Sequence, residues 1–249
     1  MNERTWRTMS KENATQRGDA QPHGFFNRLE FPIVLAVLLL VGGLYGLFEM
    51  TQLALMQPTD EFDVRVLLSF RDAADLANPI GSERVEGMVR DITSLGGTAL
   101  LVLITALVII YLLLAGKWQA ALFVLAAVGG GQIASSLLKL GFDRPRPDIV
   151  PHLAVETSLS FPSGHAMMAA VTYLTLGSLL ARITPHLRLK IFFFAVAALL
   201  TVMVGVSRLY IGVHWPTDVI AGWCVGLSWA MLWWLIARWW LNDESAARS

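Results

Sequence analysis

Three clusters of polar residues in this 249-residue chain have the types and spacings of phosphoryl-transfer chemistry. They are Lys139-Leu-Gly-Phe-Asp-Arg-Pro-Arg146-Pro147, Phe161-Pro162-Ser163-Gly164-His165, and Ser207-Arg208-Leu-Tyr-Ile-Gly-Val-His214-Trp-Pro-Thr-Asp218. Lys139, Arg146 and Arg208 are three cations drawn from separate segments, as needed to hold a dianionic phosphate and spread its transition-state charge. Ser163 and Gly164 stand where a helix should begin, so free N–H groups and the positive dipole end face an anion, and glycine lets it approach the backbone. The Ser163 hydroxyl serves there as N-cap or as phosphate ligand. His165, beside them, can donate a proton to a leaving oxygen. His214 and Asp218 are four residues apart, with Pro216 favouring a helix start between them. The carboxylate can then hold one imidazole nitrogen and leave the other as a nucleophile. Taken singly, each residue has a plain structural explanation, a snorkelling cation or a helix cap. Taken together, they make in-line displacement at phosphorus the economical reading.

The elements that must position these residues cross a membrane. The chain is 55% hydrophobic and 15% charged, with nine Trp and a mean hydropathy of +0.56, the balance of an integral membrane protein. Apolar runs of the length a bilayer requires fall at roughly 31–48, 97–115, 118–138, 163–181, 191–206 and 218–240. The expected fold is an all-α bundle of six transmembrane helices. Residues 29–242 form the membrane domain, 1–28 a polar tail and 243–249 a second short polar tail. The first span is expected to stay as an anchor, since a polar stretch precedes it and no small-residue cleavage site follows it. Of the 19 Lys and Arg, eleven fall on the side of the termini and eight on the other. The positive-inside rule therefore places both termini in the cytoplasm and all three clusters at outward-facing span ends. In a Gram-negative bacterium that is the periplasmic side of the inner membrane.

Between the first two spans, apolar residues recur at helical steps through Phe62, Val66, Phe70, Ala73 and Ala77, and again through Val85, Met88, Val89 and Ile92. This predicts two short amphipathic helices within 60–94, broken at Asn78-Pro79, with Ser82 as N-cap of the second. They are expected to lie at the outer membrane surface beside the bundle, either as a helical hairpin packed on it or as a guide for a lipid substrate. Gly129 to Gly131 sit inside the third span and read as a helix-packing surface; no strand or Gly-Lys-Ser/Thr accompanies them, so they are not a phosphate loop. Trp233, Trp234, Trp239 and Trp240 read as an interfacial belt. A formal charge of zero removes nucleic acid as a partner, and a single cysteine, Cys224, excludes an intrachain disulfide. Oligomeric state is not encoded in any pattern of the sequence.

The three clusters resemble the signature of the type 2 phosphatidic acid phosphatase (PAP2) family, written K-x6-R-P, P-S-G-H and S-R-x5-H-x3-D. Lys139 to Arg146-Pro147, Pro162 to His165, and Ser207-Arg208 through His214 to Asp218 match its fixed positions and internal spacings. Arg144-Pro145 offers a second Arg-Pro, but Arg146 has the family spacing. The resemblance implies a PAP2-like core and hydrolysis of a lipid phosphate or pyrophosphate without metal or other cofactor, through a phosphohistidine. It implies His214 as nucleophile, Asp218 orienting it, and His165 as acid and then base. Lys139, Arg146, Ser163, Gly164 and Arg208 would bind the phosphoryl oxygens. In the loop between the first two clusters, Asp143, Asp148 and Glu156 read as solvated carboxylates and His152 as a surface residue. A membrane lipid in the bilayer is the expected partner, with phosphatidylglycerol phosphate, phosphatidic acid, undecaprenyl pyrophosphate and lipid A phosphates as candidates. A lipid phosphotransferase is the nearest alternative, and an anionic-lipid transporter a more distant one, because two histidines and an aspartate exceed what binding requires. Vanadate-dependent haloperoxidases share the pocket, but six apolar spans argue against them.

Overall fold

The computed structural model describes residues 30–56, 60–156 and 158–240. Among these residues it contains eight α-helices and, apart from a single bridge between Arg71 and Pro79, no strand. They are α1 (Glu30–Met56), α2 (Glu61–Leu68), α3 (Glu83–Ser94), α4 (Thr98–Leu114), α5 (Trp118–Leu140), α6 (Gly164–Ile183), α7 (Leu187–Tyr210) and α8 (Pro216–Trp240). Five of them are long and apolar enough to cross a membrane; α4 qualifies as a sixth span when taken with α3, from which it bends by 48°. The chain divides after Leu35: of the first unit, Met1–Leu35, only the opening of α1 is described, and all other described residues belong to the second. The polar tails expected at 1–28 and 243–249 lie outside the described residues.

The centre of the second unit is α6, which packs chiefly against α7 and α8 and also against α4 and α5. Met167, Ala169 and Val171 of α6 join Phe123 and Val124 of α5 and Val204 of α7 in one apolar cluster. The glycine run of α5 serves this packing. A methyl group at Gly130 would sit 2.9 Å from the Trp229 ring, and one at Gly131 would sit 2.7 Å from Val171, so small residues are what lets α5 approach α6 and α8. Trp233 departs from the expected interfacial belt. It packs edge-on against Phe123 at 5.7 Å, while Trp239 is largely exposed.

The segment 60–94 differs in part from its periodicity. The first amphipathic helix, α2, ends at Leu68 rather than near Ala77. Asp72 and Asp75 carboxylates accept from the backbone N–H groups of Ala74 and Ala77, turns that compete with helix for the backbone. Ser82 does stand at the N-cap position of α3, without a side-chain capping bond. Both helices pack on the bundle, α2 on α8 and α3 on α7.

Candidate active site

Every polar cluster singled out in the sequence arrives at the same end of the bundle. Lys139 lies in the last turn of α5, Ser163 caps α6, Gly164 and His165 open α6, Arg208 lies in the last turn of α7, and Asp218 lies in the first turn of α8. Arg146 and Glu156 come from the long α5–α6 connection, and His214 from the tight α7–α8 connection. The latter turns at Gly212, whose φ of +82° is a left-handed conformation that glycine adopts without strain.

His214 is 1% exposed. Its Nδ1 faces Asp218 Oδ2 at 3.5 Å, and its Nε2 lies 3.3 Å from Arg146 Nη1. Asp218 is pinned from several directions: Ser160 Oγ donates to Oδ2 at 2.5 Å, the Trp215 backbone N–H donates to Oδ2 at 2.9 Å, and Arg144 Nη1 donates to Oδ1 at 2.7 Å. Burial pushes the His214 pKa down to about 4, only partly countered by the hydrogen bond and charge of Asp218. The imidazole is therefore neutral near pH 7, with Nε2 on the side of the cations, the form a nitrogen nucleophile needs.

The cations are fixed by the same loops. Arg146 donates through Nε to the Ser158 carbonyl at 2.9 Å and through Nη1 to the Val213 carbonyl at 2.6 Å. Lys139 Nζ donates to Ser158 Oγ at 2.8 Å, and Arg208 Nη1 to Thr93 Oγ1 at 3.1 Å. Ser163 Oγ is buried without a hydrogen-bond partner, although its backbone N–H donates to the Asp218 carbonyl. Gly164 lies beside Lys139: a methyl group there would be in van der Waals contact with Lys139 Nζ, at 3.5 Å. His165, Lys139 and Gly164 line a cavity of about 180 Å³ together with Glu156 and Ser158. Of the three cations, Lys139 lines this cavity, while Arg146 and Arg208 are tied to its lining residues Ser158 and Glu156.

Three residues change standing. Glu156, expected to be solvated, pairs with Arg208 and lies 3.6 Å from Arg146 Nη2. Burial alone would raise its pKa, but the charge and hydrogen bond of Arg208, followed by the charges of His165 and Arg146, hold it below the usual carboxylate value. Arg144, set aside on spacing, is 4% exposed and binds the Asp218 carboxylate directly. Asp63, one of the acids of 60–94 to which the sequence gave no role, is fully buried and binds Arg144 at 2.7 Å. The α2 periodicity carried a signal for Asp63, since it lies beside Phe62 and one turn ahead of Val66 and Leu67, but a carboxylate there reads as polar face. Elsewhere in the loop, His152 is exposed, as the sequence placed it, and its Nε2 contacts the Pro147 carbonyl at 2.5 Å. Among the described residues, no three His, Cys, Asp or Glu side chains are grouped to hold a metal ion.

A helical membrane bundle that brings three cations, a neutral buried histidine and a second, cavity-lining histidine to one end defines a phosphoric ester hydrolase of the membrane. The chain belongs to the PAP2 superfamily, whose family model matches residues 120–242. It is 36% identical over 137 residues to phosphatidylglycerophosphatase B of Bacillus subtilis, covering 55% of this chain and 67% of that protein. It is 40% identical over 73 residues to the undecaprenyl-diphosphatase of Sulfolobus acidocaldarius, covering 29% of this chain and 31% of that protein. The crystal structure of a transmembrane PAP2 type phosphatidylglycerolphosphate phosphatase from Bacillus subtilis superposes with a TM-score of 0.67 and 26% identity, over 82% of this chain and 96% of that one.

Proposed function

We propose that this protein removes phosphate from a membrane lipid by two successive in-line displacements at His214, with a phospholipid monophosphate of the phosphatidylglycerol phosphate type as first candidate and undecaprenyl pyrophosphate as second. The observation that carries this reading is the placement of the neutral His214, with Asp218 on Nδ1 and Arg146 beside Nε2. His214 Nε2 attacks phosphorus while the lipid alcohol departs and takes a proton from His165. Water, losing a proton to His165, then attacks the phosphohistidine, and inorganic phosphate leaves. Lys139, Arg146, Arg208, Ser163 and the Gly164 backbone hold the phosphoryl oxygens, supplying the charge stabilisation that a metal provides in other phosphatases. For the phosphate to reach Arg208 and Arg146, the Glu156 carboxylate must give up its ion pairs to it.

A lipid substrate is supported by a second cavity, about 320 Å³ and apolar, between α4, α5 and α6. It shares Thr98, Gln132 and Met168 with the polar cavity, so a headgroup in one leaves its acyl or prenyl chain beside Leu101, Ile109 and Leu125 of the other. The relatives' names point to the same substrate class. The eleven-to-eight distribution of Lys and Arg supports cytoplasmic termini and a site facing outward from the inner membrane. Labelling Val155→Cys, in a Cys224→Ser background, from outside intact cells tests that orientation, since Val155 is 95% exposed.

The deciding assay is phosphate release by purified protein in EDTA across the four candidate lipids, with a water-soluble phosphomonoester as reference. The expected result is release from a lipid at a kcat/KM well above the reference. Equal use of the soluble ester would overturn the lipid assignment, and a requirement for Mg2+ would overturn the metal-free mechanism.

A further inference from the structure

The catalytic carboxylate is the end of a buried chain of polar contacts that begins in α2, a helix outside the sequence clusters. Asp63, in the first turn of α2, accepts from Arg144 Nη2 on Oδ2 at 2.7 Å, from Thr217 Oγ1 on the same oxygen at 2.7 Å, and from the Thr217 backbone N–H on Oδ1 at 2.9 Å. Arg144 Nη1 in turn donates to Thr217 Oγ1 at 2.6 Å and to Asp218 Oδ1 at 2.7 Å. Asp63, Thr217 and Asp218 are each at most 1% exposed and Arg144 is 4% exposed. The Arg144 guanidinium also lies over the Trp215 ring, 5.8 Å from its centroid.

We infer that Asp63, Arg144 and Thr217 form a positioning relay that sets both the orientation and the effective charge of Asp218 toward His214. Orientation follows from geometry. Arg144 takes the Oδ1 side of Asp218, so the Oδ2 side, fixed by Ser160 and Trp215, is the one presented to His214 Nδ1. Charge follows from counting. Bound to Asp218 alone, Arg144 would neutralise it and weaken its hold on the positive charge that gathers on His214 as Nε2 is phosphorylated. Sharing the guanidinium with Asp63 leaves the cluster of two carboxylates and one cation with a residual negative charge, facing the nucleophile where solvent cannot screen it. A buried ion triad adds little stability relative to apolar packing, so its place against the catalytic carboxylate is better explained by the reaction than by the fold. Asp63 and Arg144 touch no reacting atom; they act through Asp218.

This inference rests on the phosphatase reading, and its test separates the two. Asp63→Asn keeps the shape of the side chain and removes its charge. Expected is a fall in kcat of about 10- to 100-fold with KM for the lipid within about twofold, because the phosphate-binding cations are untouched. In an Asp218→Asn background the same change should cost less than about twofold, since the relay then has nothing to act through. A wild-type kcat for Asp63→Asn, a loss confined to KM, or losses that multiply in the double variant would overturn the relay. If Asp63→Asn does not purify as a monodisperse protein, Thr217→Val removes the hydroxyl that bonds both Asp63 and Arg144, and the same readings apply. Absence of lipid phosphate release by the wild-type protein would instead overturn the phosphatase reading itself.

Discussion

Helices α1 and α6 are both apolar spans, yet in the most apolar stretch of α1 only 11% of residues are buried inside the protein, against 67% in that of α6. The more apolar of the two is the less buried. Leu38, Leu44 and Phe48 of α1 face outward, and lipid is as favourable a neighbour for them as protein. The inner face of a membrane protein gains nothing from further hydrophobicity and is built instead from small residues that pack closely and from polar residues that pair. Helix α6 accordingly carries Gly164, Ala166, Ala169, Ala170, Thr172 and Gly177, and its first turn holds Gly164 and His165 of the candidate site.

The comparison can be broken most severely at the polar end. His214→Ala should reduce lipid phosphate release by at least about 10³-fold while leaving detergent-solubilised protein monodisperse; retained turnover would remove the assigned nucleophile. The pH profile sharpens the same point. His214 is held at about 4 when folded, against about 6.5 unfolded, so its folded value is depressed and the unfolded chain binds more protons between these values. Its contribution to stability is therefore complete above about pH 6.5 and is lost as pH falls toward 4. The acid limb of kcat/KM, which reports the free enzyme, should likewise lie near pH 4; a limb near 6.5 would mean a solvated nucleophile.

Packing effects come next. A side chain at Gly226 of α8 meets the Met167 carbonyl of α6 at 2.7 Å, so Gly226→Val should destabilise by about 1–3 kcal/mol, read as a lowered midpoint of thermal unfolding in detergent. Glu156→Gln removes a carboxylate that competes with phosphate for Arg208 and Arg146, and should lower KM by a few-fold, about 1 kcal/mol or less in an incompletely buried pair. A raised KM would make Glu156 a substrate contact instead. Leu38→Ala, on the lipid-facing side of α1, should change stability by less than about 0.5 kcal/mol; a loss comparable to that at Gly226 would show that this surface is covered.

The amino-acid sequence by itself determined where the spans fall and which residues make up the candidate phosphate site. A bilayer-length apolar run is a local property, and fixed spacings such as His214 to Asp218 lie within one turn. The helices Thr98–Leu114, Trp118–Leu140 and Pro216–Trp240 accordingly begin and end within a few residues of the runs that announced them. Local periodicity failed at Ala73 and Ala77, where aspartate side chains bond the backbone and end the helix early, and at Trp233, which looked interfacial because neighbouring tryptophans do. Only the tertiary structure decided the partners of Asp63, Arg144 and Glu156. Residues 63 and 217 are 154 positions apart, and Glu156 reaches Arg208 across 52. A carboxylate that closes an ion pair over such separations has the same local sequence as one facing water, and packing alone distinguishes them.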